Sequence, residues 1–157
     1  MTIKTMLLAA LISPLAMAAD SGGGGGGYGG GSSNGGGLTG LEMGQARRFL
    51  EREQYKAARM VLSEVVKADR RNADAWNLLG YSQRKLGNLK RSGKSYERAL
   101  KLNPDHKGAL EYQGQLFVTQ NQLDLALENQ RRLTKLCPQG CKQLNSLSQA
   151  MASANDS

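Results

Sequence analysis

At 157 residues the chain has room for one modest domain. Its 21 Lys and Arg against 13 Asp and Glu give a formal charge of +8, which favours acidic partners over acidic competitors. No nucleic-acid-binding module accompanies that charge, and a single histidine with two cysteines is too few to build a zinc centre.

The first residues have the pattern of an export signal. Lys4 supplies a positive start, Met6 to Leu15 form an apolar run broken only by Ser13 and Pro14, and Ala16-Met17-Ala18 sets small residues at alternate positions. Cleavage is expected after Ala18 or Ala19. A membrane anchor is the competing reading, but Met6 to Ala19 is 14 residues and a spanning helix needs about 20. No cysteine follows the signal to carry a lipid. The expectation is therefore a cleaved signal over 1–19 and a periplasmic or secreted product. Removing Lys4 with the signal leaves 20 basic residues against 13 acidic ones.

Residues 20–38 are mostly Gly, Ser and Asn around Tyr28, and they read as a disordered linker because nothing in them can bury a core. A phosphate-binding loop is excluded, since no strand precedes the glycines and no Gly-Lys-Ser/Thr follows them.

From residue 39 the composition shifts to Leu, Ala, Gln, Arg and Lys, and the apolar residues take helical spacing. The chain also matches itself at an offset of 34 residues. Ala46, Gly80 and Gly114 share one position; Tyr55, Leu89 and Leu123 another; Ala58, Ser92 and Ala126 a third. Arg70, Pro104 and Pro138 close the units, which run 39–72, 73–106 and 107–140. Helices are predicted near 40–52, 55–69, 73–86, 89–102, 107–120 and 123–136. Asn72 and Asn88 are N-cap candidates, and Gly87 is a C-cap candidate. A seventh helix near 140–152, with Leu144, Leu147 and Met151 on one face, would cap the array, and 153–157 would be a disordered tail. Small residues at 46, 80 and 114 on the first helices, and at 58, 92 and 126 on the second, are expected where the two helices of a unit cross closely.

The middle unit, with Trp76-Asn77-Leu78-Leu79-Gly80 followed by Tyr96, Ala99 and Pro104, resembles the tetratricopeptide repeat. It departs from that pattern at Gln83, where an aromatic is usual, and at Ser92, where alanine is usual. The resemblance covers 102 of 157 residues. It implies an all-α, right-handed superhelical solenoid of three helix-turn-helix repeats plus a C-terminal capping helix, in an exported bacterial protein.

Cys137 and Cys141 bracket Pro-Gln-Gly at the bend before the cap helix. In a chain that leaves the reducing cytoplasm, a local disulfide is the natural pairing, and it would pin the cap. The spacing does not match a C-x-x-C redox centre, and no adjacent histidine supports haem attachment.

The family's first helices line a concave groove that holds an extended peptide or a partner's helix. Carried over by register, the groove-facing positions are Met43, Arg47, Leu50 and Glu51, then Asn77, Tyr81, Arg84 and Lys85, then Glu111, Gln115, Val118 and Thr119. Tyr81 offers a rigid amphipathic contact, Asn77 and Gln115 offer amides to a peptide backbone, and Arg84 with Lys85 can meet carboxylates. The lysine and asparagine of the family's chaperone-tail clamp are replaced in the first unit by Met43 and Arg47, so that ligand class is not supported. A basic face on the fourth helix, Lys90, Arg91, Lys94, Arg98 and Lys101, is read as solvated surface. The charge is also compatible with peripheral association with an anionic envelope surface.

Nothing marks an enzyme: His106 stands alone, no serine or cysteine has a base partner, and Glu51 and Glu53 point to different helix faces. No cofactor is expected. The reading is a non-catalytic module binding an acidic peptide or partner segment. The alternative is a structural subunit or assembly factor of an envelope complex of secretion or pilus type.

Overall fold

A computed structural model describes residues 38–155 of the chain. The expected export signal, the linker through residue 37 and the last two residues lie outside the described residues. Within them the chain is helical, in seven segments: α1 Leu38–Glu51, α2 Tyr55–Ala68, α3 Ala73–Lys85, α4 Leu89–Leu102, α5 Lys107–Thr119, α6 Leu123–Leu136 and α7 Lys142–Asn155. None is long and apolar enough to cross a membrane.

Two ends differ from expectation. Leu38, assigned to the linker, opens α1. Ser153 to Asn155, assigned to a disordered tail, extend α7, because Ala152 and Ala154 are strong helix formers; the Ser153 hydroxyl donates back to the Gln149 carbonyl at 3.1 Å.

The turns inside the repeats share one geometry. Glu53, Gly87 and Asn121, which are 34 residues apart, all take positive φ, at 56°, 76° and 58°. In each turn two backbone N–H groups reach back into the last turn of the preceding helix. Glu53 and Gln54 donate to Leu50 and Phe49, Gly87 and Asn88 to Arg84 and Gln83, and Asn121 and Gln122 to Val118 and Phe117. This Schellman pairing satisfies helix-end carbonyls while reversing the chain. Asn72 caps α3 as expected, accepting from the Ala75 N–H at 2.9 Å, but Asn88 makes no side-chain cap bond.

α1/α2, α3/α4 and α5/α6 form hairpins, and the first helix of each unit also packs on the second helix of the unit before it. α3 further touches α5 and α5 touches α7, whereas the second helices barely meet one another. First helices thus form an inner layer and second helices an outer one, with α7 acting as a fourth inner helix.

Close crossings account for the small residues. A Cβ on Gly80 would lie 2.6 Å from the Tyr96 ring, inside one hairpin. At Gly114 the nearest atoms belong instead to Leu147 of α7, also at 2.6 Å, so this glycine admits the cap helix rather than its own hairpin partner. Polar residues replace apolar ones at two buried crossings: Ser95 donates to Gln83, and the Asn129 amide donates to the Leu110 carbonyl and to Gln113. Gln83 therefore does the work of the usual aromatic by pairing rather than by volume. Two apolar clusters hold the ends, one around Leu62, Val65 and Leu79 and the other around Leu110, Leu133 and Leu147.

Candidate functional site

The inner face is organised by three tyrosines. Tyr81 of α3 lies edge-on to Tyr55 at 6.1 Å between ring centroids and tilted against Tyr112 of α5 at 4.7 Å. Arg84, one turn beyond Tyr81, places its guanidinium 5.6 Å from the Tyr81 ring and 6.0 Å from the Tyr112 ring, and Lys85 sits 5.3 Å over Tyr55. Such cation–π contacts hold long basic side chains in place while leaving their charge available. Burial is the main cause that holds the Tyr81 phenol above its ordinary titration range, and it pushes Tyr96, behind the ladder, up to about 12. Both stay neutral at physiological pH.

A chain of hydrogen bonds continues from Arg84 across the next two inner helices. One Arg84 Nη donates to Gln115 Oε1 at 2.8 Å, and the Gln115 amide donates to Ser146 of α7 at 2.9 Å and to Glu111 at 3.3 Å. The Gln115 orientation follows from these partners, because only the oxygen can accept from arginine.

The structure does not bring all of the expected groove residues together. Tyr81, Arg84, Lys85 and Gln115 come together in the ladder just described. Asn77 and Glu111 do not line an open groove: they are 5% and 8% exposed, covered by the first helix of the following unit. The Asn77 amide nitrogen lies 3.1 Å from where a Cβ on Gly108 would stand, so it seats α3 against α5. Burial raises the Glu111 carboxyl above the usual carboxylate range, opposed by Ser146, Lys142 and Arg84. In the first unit, Leu50 and Met43 pack onto the apolar cluster rather than facing a ligand. Arg47 is half-buried and close enough to Asp74 to help lower its pKa, while Glu51 stays exposed. Val118 is half-buried and Thr119 exposed.

Sequence reasoning missed Tyr55, Tyr112 and the contribution of α7. The same 34-residue offset carries Glu111 to Asn145 and Gln115 to Gln149, both exposed on α7. Extending the repeat past residue 140 would have found them.

His106 has a structural task. Its Nδ1 accepts from the Ala109 N–H at 3.1 Å, capping α5, and its Nε2–H donates to Asp74 of α3 at 2.9 Å. That hydrogen bond is the largest reason for the lowered Asp74 pKa. Cys137 and Cys141 are joined across the turn, with Cα atoms 5.8 Å apart and Gly140 supplying a φ of 87°. Among the described residues no group of His, Cys, Asp and Glu is arranged to hold a metal.

Residues 73–106 match the family model of the tetratricopeptide repeat. The chain shares its fold with the first such domain of Spaghetti (RPAP3) bound to the HSP90 peptide SRMEEVD, at a TM-score of 0.64 and 18% identity over 73% of this chain and 93% of that one. The corresponding human RPAP3 domain gives 0.65 and 19%, over 76% and 97%. The Yersinia enterocolitica type III secretion translocator chaperone SycD gives 0.64 and 15%, over 74% and 87%. A curated relative, the Arabidopsis thaliana protein CTR9 homolog, is 29% identical over 114 residues. That match takes in 70% of this chain, which spans 10% of the relative's length. The architecture is therefore the tetratricopeptide repeat solenoid, a fold that typically serves protein–protein interaction and not catalysis.

Proposed function

We propose that the inner face binds an acidic peptide or partner segment in extended form, without catalysis. The observation that carries this is the ladder of Tyr55, Tyr81 and Tyr112 with Arg84 and Lys85 held over the rings. Rigid rings supply contact area at low entropic cost, and a guanidinium already fixed by stacking loses little freedom when it meets a carboxylate. A solved neighbour by fold carries the peptide SRMEEVD, whose end is acidic; with Met43 and Arg47 in place of the chaperone-tail clamp, only the acidic, extended character of that ligand is carried over here.

The site of action in this reading is outside the cytoplasm of a bacterial cell. The signal-like first 19 residues and the Cys137–Cys141 pair support it, since such bonds persist in oxidising compartments.

The test is crosslinking and pull-down from the envelope fraction with the parent chain and with Tyr81→Ala/Arg84→Glu, after equal thermal melts are confirmed. Loss of one defined partner with the double substitution supports a groove adaptor. Retention of the same partners in one large complex of fixed stoichiometry overturns it in favour of a structural subunit of an envelope assembly.

A further inference from the structure

The positive charge is divided unequally between the two layers. The outer helices α2, α4 and α6 carry eleven of the 21 Lys and Arg against four of the 13 Asp and Glu. The inner helices α1, α3, α5 and α7 carry six against four. The outer surplus is also ordered. Lys67, Lys101 and Lys135 hold one register position, so an exposed lysine recurs on each outer helix, and Lys90, Arg91 and Lys94 add an exposed cluster on the middle one. Lys67 meets Glu64 at 2.8 Å, but both partners are largely exposed and a pair of that kind is readily exchanged for another anion.

Apolar side chains accompany this charge. Met60 of α2 is 64% exposed and Leu125 of α6 43%, although each stands where a sibling helix carries a charged residue, Lys94 for Met60 and Arg91 for Leu125.

We infer that the outer face is a docking surface for an anionic lipid bilayer. Lysine rows at one register position match a two-dimensional array of headgroups better than a single carboxylate. Each basic residue near such a surface contributes about 1 kcal/mol, or about fivefold in affinity, within a Debye length. Met60 and Leu125 can bury between headgroups on either side of the cationic middle helix. Single-stranded nucleic acid fits less well, because it needs exposed rings to stack its bases. The only aromatic residues of the outer helices are Tyr96, which is buried, and Tyr55, which lies against Tyr81 on the inner side.

The experiment is co-sedimentation of the full chain with vesicles of phosphatidylcholine, with and without phosphatidylglycerol, across a salt series. Parent and variants share residues 6–15, so any binding through that apolar run cancels in the comparison. Binding should need phosphatidylglycerol, fall with salt and weaken about a hundredfold in Lys67→Gln/Lys101→Gln/Lys135→Gln. Met60→Ser/Leu125→Ser should weaken it without altering the salt dependence, and Tyr81→Ala should leave it unchanged. Equal binding to both vesicle types, or equal binding by the triple variant, overturns the inference. So does tight binding to poly(U) with none to vesicles.

Discussion

Three turns within the repeats require a left-handed residue, and the chain fills them with Glu53, Gly87 and Asn121. Glycine takes that conformation freely and asparagine tolerates it, but glutamate meets its own backbone there at a cost of about 1 kcal/mol. Glu53→Gly should therefore stabilise the chain by about that amount in a denaturant melt, and Gly87→Ala should destabilise it similarly. Glu111 offers a second residue-scale test. Its folded pKa is raised by burial, so the stability of its protonated form is fully present below the ordinary value of 4.5 and is lost as pH rises through the folded value. Glu111→Gln keeps an acceptor for the Gln115 amide and removes the charge. The variant should melt a few degrees higher than the parent at pH 7, with the gap closing below pH 4.5.

At the scale of elements, the helices were legible because a 34-residue offset superimposes capping, turn and crossing residues at once. What each helix covers was less legible. Register gives a residue's angle on its own helix, so it ranked Asn77 and Glu111 with Tyr81 and Gln115. The neighbour that covers the first pair is set by how units stack, which no single repeat encodes. For the same reason the sequence suggested that Gly114 served its own hairpin, whereas the close approach is by Leu147. Gly80→Leu should cost about 3 kcal/mol or more, because its Cβ alone would stand 2.6 Å from a ring that is itself buried. An unchanged melt would remove the proposed crossing. α7 is held twice, by the Cys137–Cys141 link and by Leu147 in the cluster with Leu110 and Leu133. Reduction removes a short loop worth about 2 kcal/mol. Leu147→Ala removes a buried side chain worth about 3 kcal/mol. Hydrogen exchange should therefore show α7 still protected after reduction and exposed in the Leu147→Ala variant.

At the scale of the whole molecule, the inner layer concentrates ordered aromatic and amide groups while the outer layer concentrates charge. Net charge favoured an acidic partner and the repeat register placed that partner in the groove, yet most of the surplus charge stands on the other side of the helices. Acid recognition on the inner face therefore rests on Arg84 and Lys85 and on the way the tyrosines hold them. The most direct test is an NMR titration of the isotope-labelled full chain with a short peptide that ends in acidic residues and a free carboxylate. The expected result is saturable shifts at Tyr81, Arg84, Lys85, Gln115 and, on α7, Asn145 and Gln149, with little change on α2, α4 and α6. Shifts confined to the outer helices, or none at saturating peptide, would contradict the inner face as the binding site.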